Sequence, residues 1–433
     1  MSINNQAQYT APRLEKWRLP HKASMKTILI NYLDFLTPSG MHIFHLANAI
    51  SRQGIECIVY SLGDPETVSN LGTPEFHSYG WKNMHPRDLA AELQRAGGEY
   101  VIHTWTPRET VRHMTTALLK YLPSPYVVHM EDNEEAIIES AVALLANGDA
   151  GEEMWNPGGA LFAFSHPERY KQFLAEAQGY TCIIDTLLDF KPERAPGHVL
   201  WPSCEETVFS LPRESTAEAK ARWGIPDNCL TLFYPGAAHG SNYKEVVELY
   251  YAVKILHDMG IPVRIIKFGN YIWDLPQLVF KDENHECVID LTGKIPTTDV
   301  PEVMRAVDVL VQPGKDNPFN HYRFPCKLPL FLASGRPVIL PAANLGNHLT
   351  HGSNCLLLQE GTAEEISSCL LFLIRNPVKA KAIGMSGRAY AREHFDWNAS
   401  AKALIAFYHG ILANWKHNAG TIPNAEQTSA GMS

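Results

Sequence analysis

The sequence predicts an α/β protein made of two doubly wound, Rossmann-like halves that face a cleft, and three observations carry that expectation. Near-continuous apolar runs of strand length alternate with helical stretches, the pattern of parallel strands covered by helices on both faces. The pattern restarts at Leu230 after a first complete set. The 433 residues suffice for about two to three domains.

Along the chain, a strand is expected at Thr27–Phe35, followed by the loop Leu36–Gly40. A helix comes next, with Ile43, Leu46, Ala47 and Ile50 on one face. Gly54 ends it, and Ile55–Ser61 is the next strand. Further strands are expected at Tyr100–His103, Tyr126–His129 and near Thr181–Ile184. The second set runs as strand Leu230–Tyr234, loop Pro235–Asn242, helix Lys244–Met259, strands Pro262–Phe268 and Cys287–Leu291, helix Val300–Val307, strand Val309–Gln312, helix Lys327–Ser334 and strand Val338–Leu340. This divides the chain into an arm (1–24), a first half (25–205), a second half (206–395), a crossover helix (396–416) and a small polar tail (417–433) expected to be mobile.

Composition removes several function classes. Lys+Arg 37 against Asp+Glu 46 gives −9, and no long basic run is present, so nucleic-acid binding is not expected. The first 24 residues have no apolar core of a signal peptide, and no apolar run approaches the ~20 residues of a membrane span. The eight cysteines show no CxxC pairing, which fits buried thiols in a reducing, cytoplasmic setting. The segment Arg108–Lys120 reads either as a weakly membrane-seeking basic amphipathic face or as an ordinary surface helix.

Ligands of open α/β sheets bind beyond the carboxyl ends of the strands, which here places a site in the cleft. On the first half, Gly40 sits in a strand-to-helix turn whose amides suit an anion or hydroxyl, or simply in a tight turn. His42 and His45 are spaced like a metal pair without a third ligand nearby, so no metal is expected. His103 ends an apolar run, where it faces a substrate hydroxyl or is a satisfied core histidine. After the strand bearing His129, Glu131 and Asp132 begin an acidic run that suits acceptor positioning or proton transfer, or a helix start. On the second half, Gly236, His239, Gly240, Asn242 and Lys244 form a glycine-containing loop with a cation opposing the helix dipole, which an anionic ligand would explain. Arg323 and Lys327, just ahead of Leu328 and an apolar helix, describe a second anion site or a plain turn with solvated charges.

These segments resemble the retaining glycosyltransferases of the GT-B fold, the large group 1 (GT4-like) family, over about residues 25 to 415. The matching parts are Pro38–Ile50 with one glycine kept, His103, Lys244 and Phe324–Val338 with its Ala-Ser-Gly-x-Pro-Val anchor. The resemblance implies a GT-B architecture with the C-terminal helix returning to the first half. It also implies a nucleotide-diphosphate sugar held mainly by the second half, no metal or other cofactor, and transfer with retention to a carbohydrate, lipid or small-molecule acceptor. His103, Lys244 and Arg323 take the catalytic roles under it. Gly236, His239, Gly240, Asn242, Lys327 and Leu328 join the donor side, and Gly40, His42, His129, Glu131 and Asp132 the acceptor side. Two departures stand out. The arginine that follows the family's glycine is replaced by Ala237, and the two glutamates of the E-x7-E spacing are replaced by Tyr322 and Leu330. A non-catalytic GT-B binding protein and a nucleotide-sugar epimerase are the competing readings.

Overall fold

The computed structural model describes residues 25–143, 145, 151–211, 215–238, 242–270, 274–281, 285–293 and 299–421. The arm 1–24, the end of the tail and the loop residues His239 and Gly240 lie outside them. Among the described residues the chain forms two wholly parallel sheets. The first contains β1 (Met25–Asn31), β2 (Cys57–Ser61), β3 (His77–Gly80), β4 (Glu99–Trp105), β5 (Tyr126–Met130), β6 (Gly179–Cys182) and β7 (Gly197–Val199), in the order β3-β2-β1-β4-β5-β6-β7. The second contains β8 (Leu230–Pro235), β9 (Val263–Phe268), β10 (Val288–Asp290), β11 (Val309–Val311), β12 (Val338–Pro341) and β13 (Leu356–Leu358), in the order β10-β9-β8-β11-β12-β13. In both halves the order reverses beside the first strand, at β1/β4 and β8/β11, and a switch point of this kind opens a crevice at the strand ends.

The central strands are apolar throughout because helices cover both faces; every residue of β1, β2 and β5 is buried. The expected strand at 27–35 stops at Asn31, whose amide donates to Asp34 O at 3.1 Å, and the chain turns there. The helix Pro38–Arg52 then starts on Thr37, whose hydroxyl accepts from Gly40 N at 3.0 Å. β3, β7 and β13 were not anticipated. They are edge strands of three or four residues with half-exposed positions; His77–Gly80 and Gly197–Val199 lack an apolar run, and Leu356–Leu358 is an apolar run of only three residues.

The helices Ala363–Arg375 and Pro377–His394 complete the second half. A lone bridge between Cys204 and Asp396 joins the two crossings of the chain. The last helix, Trp397–Thr421, returns to the first half and runs past its expected end at 416. There Ala401, Leu404, Tyr408 and Ile411 share a core with Ile43, Leu46, Ala47 and Ile50 of the helix Pro38–Arg52.

Direct bonds also link the halves. Thr186 Oγ1 donates to His321 O at 2.7 Å, His348 Nε2 lies 3.1 Å from Asp185 Oδ1, and Tyr322 OH donates to Asp189 Oδ2 at 3.1 Å.

No helix among the described residues is long and apolar enough to cross a membrane. The helix Glu109–Leu119 buries Met114 and Leu118 in the core, Arg112 binds Glu109 at 2.8 Å, and Arg108 lies 3.5 Å from Glu134 and 3.7 Å from Asp132. Arg108 and Arg112 are thus paired with acids of the same half, while Lys120 stays exposed at the helix end. All eight cysteines are free.

Candidate active site

On the second half, the loops leaving β8, β9 and β11 converge. Gly236 follows β8, and a Cβ there would lie 2.7 Å from Lys327 Nζ and 3.1 Å from the Tyr234 ring. The absence of a side chain at 236 is therefore what lets the Lys327 ammonium settle 4.0 Å over the Tyr234 ring. Gly269, after β9, has φ +121° and crosses the Gly236 backbone so closely that a Cβ would come within 2.7 Å of it. Burial, with Arg323 nearby, pushes the Lys327 ammonium down to about 7. Arg323 lies with its guanidinium 4.9 Å over the Phe319 ring and leaves Nη1 buried without a partner.

Lys244 stands exposed on the first turn of the helix Tyr243–Asp258, with no ion pair among the described residues. Asn242 caps that turn from outside, its side chain donating to Ala237 O at 3.0 Å. Beside Lys244, Glu245 turns inward under Gly314, the glycine after β11. Its Oε1 accepts from Asn320 Nδ2 at 2.6 Å, while Oε2 is buried and unpartnered. Burial raises the Glu245 carboxyl, with Asn320 and then Arg323 opposing that rise.

On the first half, the ends of β4 and β5 face the start of the helix Pro38–Arg52. Glu131, directly after β5, accepts from Ser39 Oγ with one oxygen and from Trp105 Nε1 at 2.8 Å with the other. Burial lifts its carboxyl to about 7, against those two hydrogen bonds. His42 packs edge-on to Trp105, with centroids 4.9 Å apart, and at a tilt to Trp397 at 5.1 Å. His129 lies against Trp105 at 4.1 Å and bonds Thr181 Oγ1 through Nδ1 at 2.9 Å. Burial holds both histidines neutral, His42 down at about 3. Thr106, at the mouth of β4, has φ +72°, a strained setting for a β-branched residue. Asp132 is half-buried beside Arg108.

Three sequence expectations need correction. His103 does not face the cleft: it lies within β4 with two residues of strand beyond it, is 0% exposed, and has both ring nitrogens engaged, by Tyr408 OH at 2.6 Å and Thr181 Oγ1 at 2.8 Å. It is a core histidine. Gly40 offers no free amide, because Thr37 takes it; a Cβ at 40 would instead collide with the backbone of Asp34 and Phe35, so the glycine is there for close approach. Leu328 is fully buried and its amide donates to Pro325 O at 2.9 Å, so it cannot line the donor side.

The positions of the missing acids are spent otherwise: Tyr322 bridges to Asp189 across the halves, and Leu330 packs on the core. Reading the sequence missed Trp105 and Glu245. The Thr-Pro that follows Trp105 was a usable sign of a strand mouth. Glu245 looks like any helix-surface acid until Asn320 is placed beside it.

Two parallel-sheet halves with a helix returning from the second to the first define a protein of the GT-B fold. Residues 230–376 match the glycosyl transferases group 1 family, so the second half carries that family's signature. Among solved structures, the chain resembles a glycosyltransferase from Rickettsia africae ESF-5 at 12% identity and TM-score 0.68, covering 90% of this chain and 99% of that one. It also resembles the sucrose-phosphate synthase of Thermosynechococcus elongatus, at 14% identity, TM-score 0.64, and 90% and 100% coverage. HepE of Anabaena, solved in complex with UDP, matches at 13% identity, TM-score 0.63, and 89% and 100% coverage. No curated protein matches the chain by sequence.

Proposed function

We propose that this protein is a glycosyltransferase that moves a hexosyl-type sugar from a nucleotide-diphosphate donor to an acceptor hydroxyl with retention of configuration. One observation carries the reading. Three cations, Lys244, Arg323 and Lys327, stand near the carboxyl ends of β8 and β11 with no carboxylate ion pair among the described residues. Arg323 buries Nη1 without a partner and Lys327 is desolvated over the Tyr234 ring. An unneutralised cation is costly in such a setting, and a diphosphate would offset that cost. The exposed Lys244 would add its charge from the helix start. The solved neighbour that carries UDP shares the fold.

In the proposed step, the bond from the anomeric carbon to the diphosphate oxygen breaks and the acceptor oxygen bonds that carbon on the same face. The acceptor proton passes to the departing diphosphate. The cations balance the charge that develops on the leaving group, so the diphosphate needs no metal there. Lys327 takes the place left by the arginine missing at 237, and the Glu131 side of the cleft receives the acceptor. Calorimetry with a panel of nucleoside diphosphates, followed by product analysis with the matching nucleotide sugars, tests the reading; no binding and no turnover across the panel would overturn it.

A second reading, a GT-B protein that binds nucleotide sugar without transferring it, is favoured by the engagement of Tyr322 with Asp189 and the packing of Leu330 on the core. Binding without turnover would select it.

Lys327 makes the first reading pH-sensitive. Its ammonium is largely neutral above about 7 in the free protein, and a bound diphosphate favours the charged form. Binding above that pH therefore takes up a proton, and nucleoside diphosphate affinity is expected to fall by up to about tenfold per pH unit from pH 7 to 9. Titrations of Lys327→Met across this range check it; the variant should bind weakly and without that slope.

A further inference from the structure

The fold brings His42 to two ligand-type side chains, His129 and Glu131, that lie almost ninety residues further along the sequence. His42, His129 and Glu131 each place one ligand atom within 4.8 Å of the other two. His42 is 3% exposed and His129 0%, and both ring nitrogens of His42 and Nε2 of His129 are buried without a hydrogen-bond partner. Buried polar atoms almost always have one. Space between three atoms this close admits a single ion or a single water, and no sugar ring.

The remaining atoms of these side chains are already fixed from behind. Thr181 Oγ1 holds His129 Nδ1 at 2.9 Å and is itself tied to His103 Nε2 at 2.8 Å, and His103 Nδ1 reaches Tyr408 OH at 2.6 Å. Ser39 and Trp105 Nε1 hold the Glu131 carboxylate. Outer contacts of this kind orient metal-bound imidazoles and carboxylates. Two imidazoles and a carboxylate with a fourth position left open form a zinc-type donor set. Glu131 is the partly exposed member of the three.

We propose that His42, His129 and Glu131 bind one divalent transition ion of the zinc type in the first half, apart from the cations of the second. Metal–ligand bonds of about 2.0–2.2 Å would draw the three atoms together from their present spread. The sequence spacing had suggested His45 as the partner of His42, and no metal for want of a third ligand. In the fold, His45 instead stacks on Trp397 at 5.4 Å and lies 3.6 Å from Glu205, while β5 and the residue directly after it supply the two missing ligands.

Cobalt(II) is the probe, added to the full-length protein after dialysis against chelator. One cobalt per chain is expected, with the visible ligand-field bands of a four-coordinate nitrogen–oxygen site, displaced by one equivalent of zinc. His42→Ala and His129→Ala should weaken binding at least about tenfold, Thr181→Val by about 10–100-fold through the orientation of His129, and Lys244→Ala not at all. Should an alanine variant lose its far-UV circular dichroism, the near-isosteric Glu131→Gln carries the same test. Less than a tenth of an equivalent bound, a thiolate-to-cobalt charge-transfer band, or unchanged binding in a folded His42 or Glu131 variant would each overturn the proposal. None of these readouts needs a nucleotide sugar, so failure here is distinguishable from failure of the transferase reading.

Discussion

Replacing Lys244 with alanine should lower kcat/KM for nucleotide-sugar turnover about 10²–10³-fold, which is roughly 3–4 kcal/mol of transition-state stabilisation. Stability should change by no more than about 0.5 kcal/mol. The two halves of this expectation have one origin. Lys244 is exposed on the first turn of the helix Tyr243–Asp258, where the helix dipole disfavours a cation and no ion pair among the described residues compensates it. A residue so placed contributes little to folding. Its charge becomes useful when a diphosphate reaches the same helix start and gains negative charge as the sugar leaves. Steady-state kinetics and a urea melt on the same preparation separate the two effects. Full turnover in Lys244→Ala would remove this lysine from the mechanism.

Tyr408→Ala should cost about 3–5 kcal/mol of stability, the range for removing a large buried aromatic side chain. Tyr408→Phe keeps the packing but leaves His103 Nδ1 without its partner, and should cost about 1–3 kcal/mol. Tyr408 is fully buried and its hydroxyl lies 2.6 Å from that nitrogen, at the contact between the last helix and the first sheet. Both variants should shift the denaturant midpoint, the alanine more. Equal midpoints for Tyr408→Phe and the parent protein would show that the bond to His103 contributes nothing. If His103 sat in the cleft as a sugar-facing group, Tyr408→Phe would alter kinetics and leave stability alone, so the pair of measurements also tests its reassignment to the core.

Both sheets were legible wherever a strand is buried on two faces, because such a strand must be a run of apolar residues, as in Val127-Val128 or Leu232-Phe233. Of the edge strands only Val288–Asp290 was legible; Gly197–Val199, by contrast, pairs on one side only and tolerates exposed positions. In the site, the segment from Gly236 to Lys244 drew attention because a glycine loop before a cation at a helix start suggests an anionic ligand. His103 was misread because its surroundings are set by Thr181 and by Tyr408, 305 residues away. Local sequence carries no trace of such partners. Leu328 was misplaced for the same reason. Its neighbours Arg323 and Lys327 are polar, yet its own side chain belongs to the core.

The return of the last helix also bears on how the molecule is made. The first sheet is complete in sequence by Val199, yet the groove of Ile43, Leu46, Ala47 and Ile50 waits for residues 401–411 to cover it. At about 5–20 residues per second of synthesis, the roughly 200 residues from Val199 to the covering turns of the last helix take roughly 10–40 s to appear. For that interval the nascent first half carries an apolar surface that nothing in its own sequence can close, so arrest of translation before the final helix should leave it bound to chaperones rather than folded.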